Sequence, residues 1–317
     1  MNRETIRNKI VGNVVPLPGQ FNKDLSINFS GYKEHIKFLL SNNVKVFYLA
    51  LAASEFEHMT YKERLEVTEI CAQTIGSKGI LLAQATNSNW LTEQIEEANA
   101  LYKSGADAIV IKPTRMKETS SFFNSKFTQG DYNPLLHDDF FVNYIYEFAN
   151  IANVPIVFHD ALFKNGLGIS IECLERIAKI DQVVCFKFHM LDPCARQNVY
   201  SKFGNQIATF DGLHKPLQIW SLIWGASARH TNWSWFDPIH DQKFYEFVKN
   251  KDYKAAIDLV EIEWPLANAI RQTGYRGFKE VMHIMGLPGR YCRIPGKELN
   301  ANQILMIKDS LKKSGYI

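Results

Sequence analysis

Val183-Val184-Cys185-Phe186-Lys187-Phe188-His189 is a short β-rich apolar run, bounded by Asp181 upstream and Asp192-Pro193 downstream. A run of this length, closed off by turn-forming residues, has the pattern of a buried strand. Its one ionisable interruption is Lys187. An amine at the C-terminal end of a buried strand is costly to keep charged. Desolvation lowers its pKa toward the range where the neutral nitrogen is a nucleophile. The same placement also suits a lysine that snorkels out of the strand end or pairs with a carboxylate. The residues on either side have to decide between the two.

Upstream, residues 10–17, 44–51, 80–85, 106–111 and 154–159 are further apolar strand candidates. Helical spacing lies between them. Tyr32, His35, Ile36, Leu39 and Leu40 share one face of a segment over 31–40. Thr60 with Glu63 three residues on forms a capping box at the head of the next helix. Helices follow at 92–104, 139–151 and 170–179. Downstream of the opening run come a helix at 193–203, a strand at 206–211, a helix at 215–223 and a strand at 226–231. Eight strands alternating with helices over about 230 residues predict a (β/α)8 TIM barrel. A doubly wound sheet would alternate as well, but no Gly-rich phosphate turn follows the first strand. Residues 241–317 are helical by period, at 242–249, 253–272, 278–285 and 301–314. The expected division is therefore a barrel over 1–240 and a C-terminal helical extension over 241–317. A long polar connection at 114–138 breaks the rhythm, and a loop of that length is usually functional or an insertion.

Composition narrows the class. The chain has 317 residues, 46% hydrophobic and 22% charged, as a soluble globular protein does. A net charge of +3 is too mild to call for a nucleic-acid partner. The 5 cysteines are scattered, odd in number and without a CxxC pair, which points to a reducing compartment and no structural zinc. No apolar signal core opens the chain and no stretch approaches a membrane span. The expected location is the cytoplasm.

Several stretches, in order and spacing, resemble one family. Leu101-Tyr102-Lys103-Ser104-Gly105-Ala106-Asp107-Ala108 resembles its Gly-Ala-Asp lead into strand four. Val154-Pro155-Ile156-Val157-Phe158-His159 sits where it has strand five, and Val184-Cys185-Phe186-Lys187 where it has a Schiff-base lysine. Phe278-Lys279-Glu280-Val281 through Arg293-Ile294-Pro295 resembles its C-terminal signature. The family is that of dihydrodipicolinate synthase and N-acetylneuraminate lyase, class I aldolase-like barrels with a helical appendix. The resemblance implies that Lys187 forms an imine with a 2-oxo acid, and that the protein is a homotetramer or homodimer.

Departures from the family pattern accompany the likeness. Its loop after strand two reads Gly-Thr-Thr-Gly-Glu, whose backbone and hydroxyls hold the oxo-acid carboxylate. Here the loop is Leu51-Ala52-Ala53-Ser54-Glu55, with methyls in place of both threonine hydroxyls. The proton-shuttling tyrosine of strand five falls on Phe158, and the asparagine-like position after it on His159. The Arg-bearing loop beyond is Ala161-Leu162-Phe163-Lys164-Asn165-Gly166, where Lys164 offers the positive charge.

Imine chemistry needs a neutral amine, a group that protonates the departing hydroxyl and another that moves the substrate proton. In a barrel these come from strand C-terminal ends and the loops behind them. The polar residues at those places are Glu55, Lys112, Arg115, His159, Asp160, Lys187, His189, Asp211, Arg229 and His230. Side chains alternate along a strand, so Phe158 and Asp160 share one face and Lys187 and His189 another. With Lys187 inward, His189 or Asp160 stands in for the missing phenol. Histidine serves both proton directions near neutrality, so His189 is the acid/base and Asp160 orients. His159 falls on the outward parity as a structural hydrogen bonder, and remains in the substrate-binding set only by its position. Asp211, before Gly212, either caps a turn or touches substrate. Asn232-Trp233-Ser234-Trp235-Phe236 either stacks on a sugar-like substrate or packs core.

The reading these residues favour is a Schiff-base lyase, aldolase or dehydratase. It acts on a small, preferably sugar-derived 2-oxo acid through Lys187, His189 and Asp160. Ala52, Ala53, Ser54, Glu55, Phe158, His159, Lys164, Asp211 and His230 form the substrate-binding set. No cofactor and no metal are required. A binding protein on the same fold, without family turnover, is the competing class, consistent with Phe158. A metal-dependent barrel hydrolase is third, since the HxH pair such enzymes carry at strand one is absent.

Overall fold

The computed structural model describes residues 2–86, 90–112, 134–160 and 170–317, with the backbone alone at 134–137, 140 and 160. The strands are β1 (Gly12–Pro16), β2 (Val46–Leu49), β3 (Ile80–Gln84), β4 (Ala108–Ile111), β5 (Ile156–Asp160), β6 (Val183–Phe188), β7 (Ala208–Asp211) and β8 (Ala228–His230). They pair in parallel in sequence order, and β8 closes onto β1 through Gly12–Ala228 and its neighbours. The helices are α1 (Arg3–Lys9), α2 (Phe29–Ser41), α3 (Tyr61–Ile75), α4 (Leu91–Lys103), α5 (Pro134–Ala152) and α6 (Ile171–Ala178). They continue as α7 (Pro193–Phe203), α8 (Lys215–Ile223), α9 (Pro238–Lys249), α10 (Tyr253–Ile284) and α11 (Ala301–Lys313). The predicted TIM barrel with its helical extension is the observed fold. No described helix is long and apolar enough to cross a membrane.

The strands read as unbroken apolar runs because parallel strands are covered on both faces. Val14, Val46, Leu82, Val110, Val157 and Phe186 are all fully buried. Each such side chain contributes roughly 1.5–3 kcal/mol by leaving water. Outward residues of β6 pack on the helical layer, Phe186 edge-on to Phe203 and Phe188 edge-on to Tyr200 of α7. A register shift interrupts the β5–β6 ladder. Ile156 opposes Val183 but Val157 opposes Cys185, so Val184 is an extra residue, as in a β-bulge. Beyond the bulge the register runs Phe158–Phe186, His159–Lys187 and Asp160–Phe188.

α9 packs on β1 and on α8, in the helical layer of the barrel. The expected boundary at 240 therefore falls ahead of a helix that packs both on the barrel, through β1 and α8, and on α10. α10 is broken at Gly274, whose φ of 61° no helix uses, which accounts for the two separate helices expected there. The extension is pinned to the barrel by buried charge. Lys279 ion-pairs with Glu55 and donates to the carbonyls of Gly19 at 2.7 Å and Tyr291 at 2.6 Å. Arg293 grips both oxygens of Glu63 at 2.8 and 2.7 Å. Glu63 also closes the predicted capping box, accepting from the Thr60 amide at 2.8 Å.

Candidate active site

Lys187 lies at the C-terminal end of β6, 4% exposed. Its Nζ is 3.5 Å from the Tyr48 hydroxyl and sits over two rings, 4.6 Å from the Tyr48 centroid and 5.8 Å from Phe210. Burial first, and then the charge of Lys112, draw its pKa down from 10.5 to about 7. Among the described residues no carboxylate pairs with it. The strand end therefore holds an amine that is substantially neutral at neutral pH, the state a nucleophile needs. Tyr48, on β2, donates its hydroxyl to the Gln84 side chain. Burial pushes its pKa well up, so the phenol stays protonated.

Partners in a parallel ladder point the same way, so His159, opposite Lys187, shares its face. His159 lines the cleft and its Nε2 lies 3.0 Å from His189 Nδ1. His230 completes the group, its ring edge-on to Tyr48 at 5.9 Å. Burial, then the charge of Lys187, hold both His159 and His230 well below the usual imidazole pKa. A Cβ at Gly212 would come within 2.2 Å of His189 Nε2, so any larger residue there would displace that ring.

This geometry corrects the expected faces of strand five. Phe158 does not look at Lys187; it is fully buried against Phe186, in the layer between sheet and helices. His159, expected outward, is the inward residue. Aligning the motif put the tyrosine position on Phe158, whereas the bulged register with β6 gives the facing position to His159. Asp160 pairs in the ladder with Phe188, and its side chain, like Lys164 and Arg115, lies outside the described residues.

The loop after β2 divides into two parts. Ala52 and Ala53 line the cleft, and their amides donate to no acceptor among the described residues. Ser54 and Glu55 were expected to touch substrate, but both face the protein. Ser54 Oγ accepts from the Ala50 amide at 2.9 Å and donates to the Tyr48 carbonyl at 3.3 Å. Glu55 is consumed by Lys279 and by the amides of Arg293 at 2.6 Å and Ile294 at 3.0 Å. Asp211 is likewise structural, fully buried with Arg196, Ser221 and the Leu213 amide as partners. The Leu213 amide, two residues on, and Arg196, 15 residues upstream, both bind the same carboxylate.

Lys187, His159, His189, His230, Ala52 and Ala53 open into one cleft of about 780 Å³. Its inner end is the barrel mouth. Its outer wall comes from α10 and the turn after β8, including Trp233, Trp264, Arg271 and Tyr275. Trp233, Trp235 and Phe236 pack on Phe278, so the aromatic run after β8 mainly joins the barrel to its extension. Among the described residues no group of three or more His, Cys, Asp or Glu is placed to hold a metal ion. Tyr48, Gln84 and Arg271 were not singled out in the sequence. The available signal for Tyr48 was a hydroxyl-bearing residue inside an otherwise apolar strand.

Known proteins carry the same plan. The N-acetylneuraminate lyase of Fusobacterium nucleatum is 23% identical over 298 residues, 92% of this chain and 95% of its own. The 4-hydroxy-tetrahydrodipicolinate synthase of Methanosphaera stadtmanae is 26% identical over 198 residues, 62% of this chain and 60% of its own. The crystal structure of dihydrodipicolinate synthase from Oceanobacillus iheyensis superposes with a TM-score of 0.81 at 18% identity, covering 98% of each chain. With the profile of the dihydrodipicolinate synthetase family matching residues 9–314, on a closed eight-stranded barrel with its helical extension, the chain belongs to that family of lyases.

Proposed function

We propose that the protein is an imine-forming lyase, an aldolase or dehydratase, whose substrate is a small 2-oxo acid. The observation that carries this reading is Lys187, buried at the end of β6 with a pKa near 7 and facing the cleft opposite His159. The neutral amine adds to the oxo carbon, and loss of water leaves a carbon–nitrogen double bond to Nζ. The protonated imine then accepts the electron pair of the adjacent C–H bond, giving an enamine. In an aldol cleavage it accepts the pair of the C3–C4 bond, while a base takes the C4 hydroxyl proton. The amides of Ala52 and Ala53, unpartnered among the described residues, hold the carboxylate, keeping the backbone part of a clamp whose hydroxyls are gone. The His159–His189 pair moves the protons. Burial holds His159 below the usual imidazole pKa, and its Nε2 shares a hydrogen bond with His189 Nδ1, so a proton taken at one ring can be passed to the other. Asp160 keeps a proposed orienting role at the end of β5. Tyr48 positions the amine. We also propose a cytoplasmic homo-oligomer, dimer or tetramer, as the working form.

Borohydride reduction in the presence of pyruvate, 2-oxobutyrate and sugar-derived 2-oxo acids tests the assignment. The expected result is an added mass on the Lys187 peptide and none in Lys187→Ala. Folded protein that gains no mass with any of them overturns the imine.

A further inference from the structure

The cleft is far larger than a three-carbon oxo acid needs, and its outer wall is chemically distinct from its inner end. Trp264, Ala267 and Arg271 of α10 follow one another at spacings of three and four, so they share a helix face, and all three line the cleft. Trp264 is 45% exposed, and the small Ala267 lies between it and Arg271 along that face. Arg271 forms no ion pair among the described residues. Two acids line the cleft: Glu263 is committed to Lys215 at 2.6 and 2.7 Å, and Glu57 lies in the turn after β2. His214, in the loop between β7 and α8, lines the same cleft within electrostatic reach of Arg271. His214 is the N-cap of α8, yet its side chain makes no capping bond. Burial, and then the charge of Arg271, lower its pKa, so near neutrality its ring brings an N–H donor to an anion and Arg271 brings the charge.

We propose that the outer end of this cleft is an anion subsite, in which Arg271 and His214 bind a carboxylate or phosphate at the far end of the substrate. The assignment rests on the imine at Lys187 and extends it. The substrate is then an elongated 2-oxo acid with two anionic ends, one on the amides of Ala52 and Ala53 and one on Arg271. A guanidinium with no carboxylate partner among the described residues matches either anion through paired donors. Positive groups along a walled cleft also draw such a dianion inward.

The test competes pyruvate against 2-oxoglutarate, 2-oxoadipate, a 2-oxo acid ending in phosphonate, and phenylpyruvate, for borohydride trapping on Lys187. One of the long dianions should outcompete pyruvate and phenylpyruvate, and which of them does so separates carboxylate from phosphate. In Arg271→Gln that preference should fall by about ten- to a hundredfold, the size of a lost charge-assisted hydrogen bond. A preference for phenylpyruvate would assign the outer wall to an apolar end through Trp264 and overturn the proposal. An unchanged preference in Arg271→Gln would do the same. If no acid adds to Lys187, the imine reading has failed, and calorimetry with adipate and inorganic phosphate reads the subsite alone. Saturable binding lost in Arg271→Gln supports it, and no binding overturns it.

Discussion

The shifted pKa of Lys187 makes its reactivity a function of pH that an ordinary lysine would not show. Because burial lowers it from 10.5 to about 7, imine trapping should rise through pH 7 and level off above pH 8. A rate that keeps climbing to pH 10 would mean the amine is not desolvated. Stability follows the same group. The unfolded chain binds this proton more strongly than the folded one, so the contribution of Lys187 to stability is fully present above pH 10.5 and lost as pH falls through 7. Lys187→Met should accordingly gain stability over the parent at pH 6 and lose that advantage by pH 10, as urea unfolding at the two pH values would read. His159→Ala and His189→Ala should each cut turnover by about 10²–10⁴-fold while still forming the adduct. If only one does, the pair is not acting as a relay. Lys187 and His189 were legible because a strand end and its parity are local properties. His159 and Tyr48 were not, because their facing depends on a bulge in β6 and on a neighbouring strand far along the chain.

Among the elements, the loop after β2 and the head of α3 bear the junction between barrel and extension. Lys279 and Glu55 form a fully buried pair, and removing one partner of such a pair leaves an uncompensated charge. Lys279→Met should cost about 3–5 kcal/mol in chemical denaturation. Adding Glu55→Gln should recover part of the loss, since the two residues are coupled. Were Glu55 a substrate ligand instead, Glu55→Gln alone would change trapping at Lys187 and leave the melting curve nearly in place. Thr60→Ala should cost about 1 kcal/mol through the lost cap. Glu63→Ala should cost more than Thr60→Ala, because its carboxylate serves both the cap and Arg293. The capping box was readable from four consecutive residues. The second duty of Glu63 was not, as its partner lies at the other end of the chain. That duty gives the C-terminal signature its physical content: Lys279 and Arg293 are the staples.

At the scale of the whole molecule, eight alternating strands and helices, with no Gly-rich phosphate turn after the first strand, pointed to a barrel, because each βα unit repeats the same local pattern. Helical period does not distinguish α9, packed on β1 and on α10, from the helices beyond it. What covers the outside of those helices is an assembly question. α8, α9 and α10 pack on one another and turn large apolar side chains to solvent. Trp220 is 52% exposed, Ile239 53% and Ile262 56%, and Trp220 stacks on Trp224 at 5.8 Å instead of folding inward. Exposed apolar surface concentrated on adjoining helices marks an interaction face more often than a lone barrel's skin. The family resemblance and this surface together favour self-association through a second copy of the chain. Sedimentation at micromolar concentration should therefore give a multiple of 36.4 kDa. Trp220→Glu with Ile239→Glu should drive the mass toward one chain while leaving the barrel folded by circular dichroism. A parent protein that sediments at 36.4 kDa would sink the prediction. An unchanged multiple in the double variant would move the interface to another face.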